Sequence, residues 1–123
     1  MAVRRLTQLR VMKQVEAIIR PQRVSTVLEA ARELGYRGVT VRSVQGQGIQ
    51  GGLAQKWRRE EYRVDLLPKV AVTLVVPDDE VADLVDMIVK TARTSHIGDG
   101  KVFVTPVEQA VRIRTGQTGD RVL

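Results

Sequence analysis

Residues Thr94 to Val104 read Thr-Ser-His-Ile-Gly-Asp-Gly-Lys-Val-Phe-Val, and this stretch gathers the groups best suited to holding an anion. Gly98 and Gly100 let a backbone approach a ligand closely, and Lys101 supplies a charge suited to phosphate. A Gly-Asp-Gly turn before a strand can also serve structure alone. Arg112 and Arg114 alternate with Val111 and Ile113, which on a strand sets both guanidinium groups on one face. A planar, always-charged fork is the side chain that phosphate oxygens match best, although a solvated edge has the same pattern. Lys69 follows Leu67-Pro68, where a lysine is ordinarily a solvated charge. His96 reads as a solvent-facing loop residue.

The composition limits what other chemistry is available. The chain has no cysteine and a single histidine, so a disulfide framework, a thiolate metal site and a histidine cluster are all excluded. Any metal is expected to arrive with a ligand. Hydrophobic residues make up 43% and charged residues 28% of 123 residues, which is globular usage and enough for one core without staples. No apolar run approaches the roughly 20 residues of a membrane span. The start, Met1 to Lys13, is basic without the apolar centre of a signal peptide, and a cytoplasmic address is the expectation. A net charge of +6 suits an anionic partner. The charge concentrates in Arg4, Arg5, Arg10 and Lys13 at the start and in Lys56, Arg58 and Arg59 in mid-chain.

These groups need elements to position them. Val11 to Ile19 reads as a strand stopped by Pro21. Val24, Val27, Leu28, Ala31 and Leu34 recur at helical spacing, with Pro21 near the start and Gly35 placed as a C-terminal cap. Val39, Val41 and Val44 suggest a second strand, and Tyr62 to Val76 a long third one interrupted near Pro68. Between them Gln45 to Glu61 is polar, glycine-rich and too long for a hairpin turn, a length that usually signals function. Pro77-Asp78-Asp79-Glu80 puts carboxylates at a helix start, with an apolar stripe of Val81, Leu84, Val85, Ile88, Val89 and Ala92 behind it. Lys101 to Thr105 makes a fourth strand, followed by a short segment through Val111 and Arg114 and a polar tail. The order strand, helix, strand, strand, helix, strand predicts an α+β, ferredoxin-like double βαβ sandwich: an antiparallel sheet with helices on one face. The other face has no cover in the chain, and association into an oligomer through it is the economical solution.

The loop from Thr94 to Val104 closely resembles a signature of the nitrogen-regulatory P-II signal transduction protein family. Met12-Lys13-Gln14-Val15-Glu16-Ala17-Ile18-Ile19-Arg20-Pro21, Tyr62 to Lys69, Val75-Val76-Pro77-Asp78-Asp79 and Val111-Arg112-Ile113-Arg114-Thr115-Gly116 fall in register with the same family. The resemblance divides the chain into a basic extension over 1–11 and a P-II-like domain over 12–123. Within that domain it implies a T-loop at about 46–61, a nucleotide-binding B-loop at about 93–101 and a C-terminal loop at about 112–123. It further implies a compact homotrimer with a protruding T-loop and, in the clefts between subunits, ATP or ADP. The nucleotide would meet Thr40, Gly46, Gly48, Gln50, Val75, Thr94, Gly98, Asp99, Gly100, Lys101, Arg112 and Arg114. 2-Oxoglutarate would meet Gln50, Gly52 and Lys69 and chelate Mg2+ already held by ATP, with Gln50 on the metal. Magnesium suits such a site because it keeps few protein ligands.

The resemblance also implies regulation through docking rather than catalysis: no enzyme, but T-loop contacts with an ammonium transporter or with a nitrogen-metabolism enzyme or regulator. A membrane is met only through a transporter, and nucleic acid is not expected. Tyr62 aligns with a position that is uridylylated in many members. Lys56, Trp57, Arg58 and Arg59 are the partner-binding candidates, Trp and Arg being favoured anchors. Ile49, Gly51, Gln55, Glu60 and Thr73 depart from the common family pattern. Two alternatives stay open at this level. One is an adenylate-only sensor without 2-oxoglutarate; the other is a basic nucleic-acid-binding ferredoxin-like domain, against which the scarcity of aromatic residues counts.

Overall fold

The computed structural model describes residues 11–47 and 66–123. Strand β1 spans Met12–Ile19. A 3-10 turn, Pro21–Arg23, leads directly into helix α1, Val24–Glu33, because Pro21 needs no donor in a first turn and its fixed φ is already helical. The helix ends as the sequence predicts. Gly35 takes φ +97°, its N–H donates to the Arg32 carbonyl and the Tyr36 N–H to the Ala31 carbonyl, the paired bonds of a Schellman cap.

Strand β2 is Val39–Gly46 and β3 is Leu67–Pro77. A second 3-10 turn, Asp78–Glu80, opens helix α2, Val81–Ala92, with three carboxylates at its positive end. Strand β4 is Gly100–Val107. The sheet is antiparallel in the order β2-β3-β1-β4, the ferredoxin-like arrangement.

Two expectations need correction. The described third strand begins at Leu67 rather than at Tyr62, residues 62–65 lying outside the described ones, and Pro68 does not break its ladder: that proline lies inside β3, opposite Gln45 of β2. It is tolerated there because β1 pairs with β3 only as far as Ile19 opposite Val70, so at Pro68 one side of β3 has no strand requiring a donor. The segment through Arg112 and Arg114 is not a strand. Val111 makes a single bridge to Thr118, and between them the chain turns, with the Gly116 N–H on the Arg112 carbonyl and the Arg112 N–H on the Gln117 carbonyl. Gly116 at φ +74° closes this turn, and alternation of side chains between two faces does not apply within it.

The core lies between the sheet and the two helices. Val15, Ala17 and Ile19 of β1 and Val72, Leu74 and Val76 of β3 point the same way and pack with Val27 and Ala31 of α1 and Leu84, Ile88 and Ala92 of α2. Successive strand residues face opposite sides. Gln14, Glu16, Ile18, Lys69, Thr73, Val75, Lys101 and Phe103 therefore occupy the face without helices.

Candidate functional site

At the end of the sheet where β1 stops and β4 starts, Ile19 lies opposite Gly100, and the loop preceding β4 folds over the strand ends. Asp99 holds this loop together. One carboxylate oxygen accepts from the backbone N–H groups of Thr94 and Ser95 at 2.8 and 2.9 Å; the other accepts from the Thr94 hydroxyl and from Arg20 Nε, the latter at 3.0 Å. These donors, Thr94 foremost and Arg20 after it, hold the Asp99 carboxyl well below the usual carboxylate range against the opposing pull of desolvation. Arg20 also donates through Nη2 to the Ile97 carbonyl at 2.8 Å.

Lys69 closes the loop from the sheet side. Its Nζ donates to the Gly98 carbonyl at 2.6 Å, and the residue is only 8% exposed. Burial pushes its pKa down and the nearby Arg20 charge adds to that, while Asp99 pulls the other way. A buried ammonium with one protein acceptor among the described residues retains donors for an incoming anion. Gly98 and Gly100 both have left-handed φ, at +102° and +107°. At Gly100 a Cβ would lie 1.7 Å from the Ile18 carbonyl oxygen, so this glycine is required by the chain's own β1 before any ligand approaches.

Gly46, Lys69, Gly98, Asp99, Gly100 and Lys101 line one cleft of about 540 Å³, so six of the residues singled out in the sequence do converge. Ile18, Gln47, Ile97 and Phe103 line it too, and sequence reasoning missed them. Arg20, which pins the loop through Asp99, was also missed as a site residue. Thr94 belongs to the loop's frame through Asp99. The exposed His96 turns its Nδ1 toward the Thr94 carbonyl, 3.0 Å away.

Thr40 and Val75 lie elsewhere. Together with Tyr36, Thr73 and Glu80 they line a second cleft of about 660 Å³, near the start of β2, where Thr40 faces Thr73. From Lys69 to Val75 is six residues along β3, or about 20 Å of extended strand. Tyr36 donates its hydroxyl to Glu80 at 2.7 Å; burial and the Glu80 carboxylate push the phenol up to about 12. Arg112 is held by its own turn, Nη1 donating to Gln117 Oε1 at 3.1 Å, and neither it nor Arg114 lines either cleft. Gly48, Gln50, Gly52, Lys56, Trp57, Arg58, Arg59 and Tyr62, with the extension over 1–10, lie outside the described residues.

The fold and the loop together define an α+β module with a glycine-turned, lysine-lined cleft at one end of its sheet. The family model for nitrogen regulatory protein P-II matches residues 12–117. A nitrogen regulatory protein P-II of Rhodobacter capsulatus is 50% identical over 109 residues, covering 89% of this chain and 97% of the relative. Nitrogen regulatory protein P-II 1 of Escherichia coli K12 is 48% identical over 112 residues, covering 91% and 100%. The crystal structure of Arabidopsis thaliana PII bound to citrate superposes with a TM-score of 0.76 at 37% identity, covering 93% of this chain and 94% of that one. The chain belongs to the P-II family of nitrogen regulatory proteins, which are signalling regulators.

Proposed function

We propose that this chain works as a homotrimer that binds ATP or ADP and, with Mg2+, 2-oxoglutarate in clefts between subunits, and that it signals to nitrogen-metabolism partners through its T-loop without catalysing a reaction. The observation that carries the reading is the division of the expected nucleotide residues between two clefts. Thr40 and Val75 sit about 20 Å along the strand from the loop that carries Gly98 and Lys101. A nucleotide that meets both sets does so most simply where the first cleft of one copy faces the loop of another, with Arg112 and Arg114 added from a turn that touches neither cleft in its own chain. The face of the sheet without helices, carrying Ile18 and Phe103, is the surface for that association.

The chemistry of the loop cleft fits the proposed ligands. Lys69 and Lys101 bring two cations to a backbone that turns at two positive-φ glycines, which suits phosphate and carboxylate oxygens. Among the described residues no group of three or more His, Asp or Glu side chains could hold a metal, so Mg2+ would draw its oxygens from ATP and 2-oxoglutarate, with Gln50. The citrate carried by the Arabidopsis relative is a polycarboxylate, a class that the Lys69 ammonium would pair with. Occupancy would select T-loop conformers through differential contacts, and Lys56, Trp57, Arg58 and Arg59 would meet an ammonium transporter or a nitrogen-metabolism enzyme or regulator, with Tyr62 open to uridylylation.

The domain division follows the same reading: a basic extension over 1–11, then T-loop, B-loop and C-terminal loop within 12–123. No helix among the described residues is long and apolar enough to cross a membrane, and the proposed place of action is the cytoplasm, a membrane being met only through a transporter partner.

Calorimetric titration with ATP, ADP and 2-oxoglutarate, each with and without Mg2+, tests the reading. Binding of 2-oxoglutarate only alongside MgATP supports it in full. Nucleotide binding alone leaves an adenylate sensor. Absence of both would sink the ligand assignment and turn attention to nucleic acid as the anionic partner.

A further inference from the structure

A second, shallow groove beside the loop, of about 390 Å³, is lined by Arg20, Gln22, Arg23, Thr94 and His96 and not by Lys69. Its charge is unbalanced. Arg20 is matched by Asp99, but Arg23 has no carboxylate partner among the described residues: its Nη2 donates to the Arg93 carbonyl at 2.9 Å, and its Nε is buried with no hydrogen-bond partner. Arg93 is itself exposed beside the groove, and no ion pair holds it among the described residues. The Arg23 Nε is turned inward and out of reach of the groove, so it is the exposed Nη end of the Arg23 fork that can meet an incoming carboxylate.

The groove is built for side-chain carboxylates rather than for a compact phosphate. Phosphate sites draw heavily on backbone N–H groups, and those of this loop are already spent: Thr94 and Ser95 donate to Asp99 and His96 donates to the Thr94 hydroxyl. What remains are guanidinium forks, an amide and an imidazole spread over an open surface, which match an extended acidic segment reaching several points at once.

We propose that this groove is a docking surface for an acidic segment of a partner protein, with Arg23 as its central anchor. The groove's arginines do not line the ligand clefts, although His96 lines the 540 Å³ cleft as well and Thr94 is among the expected nucleotide contacts; the proposal stands whether or not nucleotide binds. It shares the loop with the 540 Å³ cleft through the Arg20–Asp99 pair, so a carboxylate drawn to Arg20 competes with the contact that frames the ligand side, and occupancy of groove and cleft is thermodynamically linked.

The test uses a fluorescently labelled hexaglutamate peptide and the full chain without nucleotide, read by anisotropy. Saturable, salt-sensitive binding is expected, weakened about tenfold by Arg23→Ala, the size of one charge-assisted contact. Gln22→Glu adds a like charge at an exposed position without removing any described contact, and is expected to weaken binding about threefold; it keeps the test valid if Arg23→Ala melts early. Arg4→Ala with Arg5→Ala, which removes another basic cluster, is expected to leave the Kd unchanged. The proposal is overturned if the peptide fails to saturate, if binding follows the N-terminal arginines instead, or if inorganic phosphate binds in a Gln22→Glu-sensitive way more tightly than the peptide.

Discussion

The two faces of the sheet are made from alternate residues of the same strands and carry opposite burdens. On the helix side Val15, Ala17, Val72 and Leu74 are almost completely buried, and their partners from α1 and α2 leave no polar group among them. On the other side Glu16 pairs with Arg42 and accepts from the Thr73 hydroxyl, Lys69 reaches the Gly98 carbonyl, and Phe103 stands 51% exposed. One face is closed within the chain and apolar; the other mixes charge with apolar surface and ends in the loop cleft. The difference teaches that folding energy and ligand chemistry are separated by a single residue step along each strand. Changes on the covered face should cost stability, and changes on the open face should cost binding.

The largest stability effect is expected for Leu84→Ala, which empties a fully buried position between α2 and the sheet and should cost about 2–5 kcal/mol by urea denaturation. A loss below about 1 kcal/mol would show that the covered face does not dominate folding.

Asp99 tests the boundary between the faces. Its depressed pKa means that the folded state favours the ionised carboxylate. The stability it contributes is fully present above the ordinary aspartate value of 3.8 and is lost progressively as pH falls below that, toward the lower folded value. Denaturation midpoints measured from pH 5 to pH 2 should show this acid-side loss, and Asp99→Ala should flatten it. The same substitution should weaken MgATP binding about tenfold by freeing the loop, since two backbone amides and Arg20 lose their common acceptor.

The smallest stability effect is expected for Lys69→Met, an apolar side chain of similar length. Burial of the ammonium costs the folded state, so the change should be neutral or slightly stabilising while abolishing 2-oxoglutarate binding in calorimetry. The pH sign runs opposite to that of Asp99. A lysine whose pKa is lowered from 10.5 on folding holds fewer protons folded than unfolded, so stability rises as pH climbs through the lowered value toward 10.5. That rise should vanish in Lys69→Met. Equal binding by the variant would break the assignment of ligand chemistry to the open face.

The sequence by itself determined the element order, the ferredoxin-like sheet, the apolar stripe of α2 and the Gly35 cap, because periodicity and caps are written over a few neighbouring residues. It also marked Gly98, Gly100 and Lys101, whose chemistry is intrinsic to residue type, whereas Gly46 and Lys69 were expected at the site only through the family resemblance. It misjudged Pro68 and the Arg112–Arg114 segment for one reason: whether a proline is tolerated or two arginines share a face depends on what lies alongside, and local pattern carries no record of it. Only the tertiary structure decided that Arg20 reaches Asp99 across 79 positions of sequence, that Gly100 is demanded by the Ile18 carbonyl, and that Thr40 and Val75 line a different cleft from Lys101. Each of these follows from strand register, which is set by burying one face of every strand at once, a condition that no single segment contains.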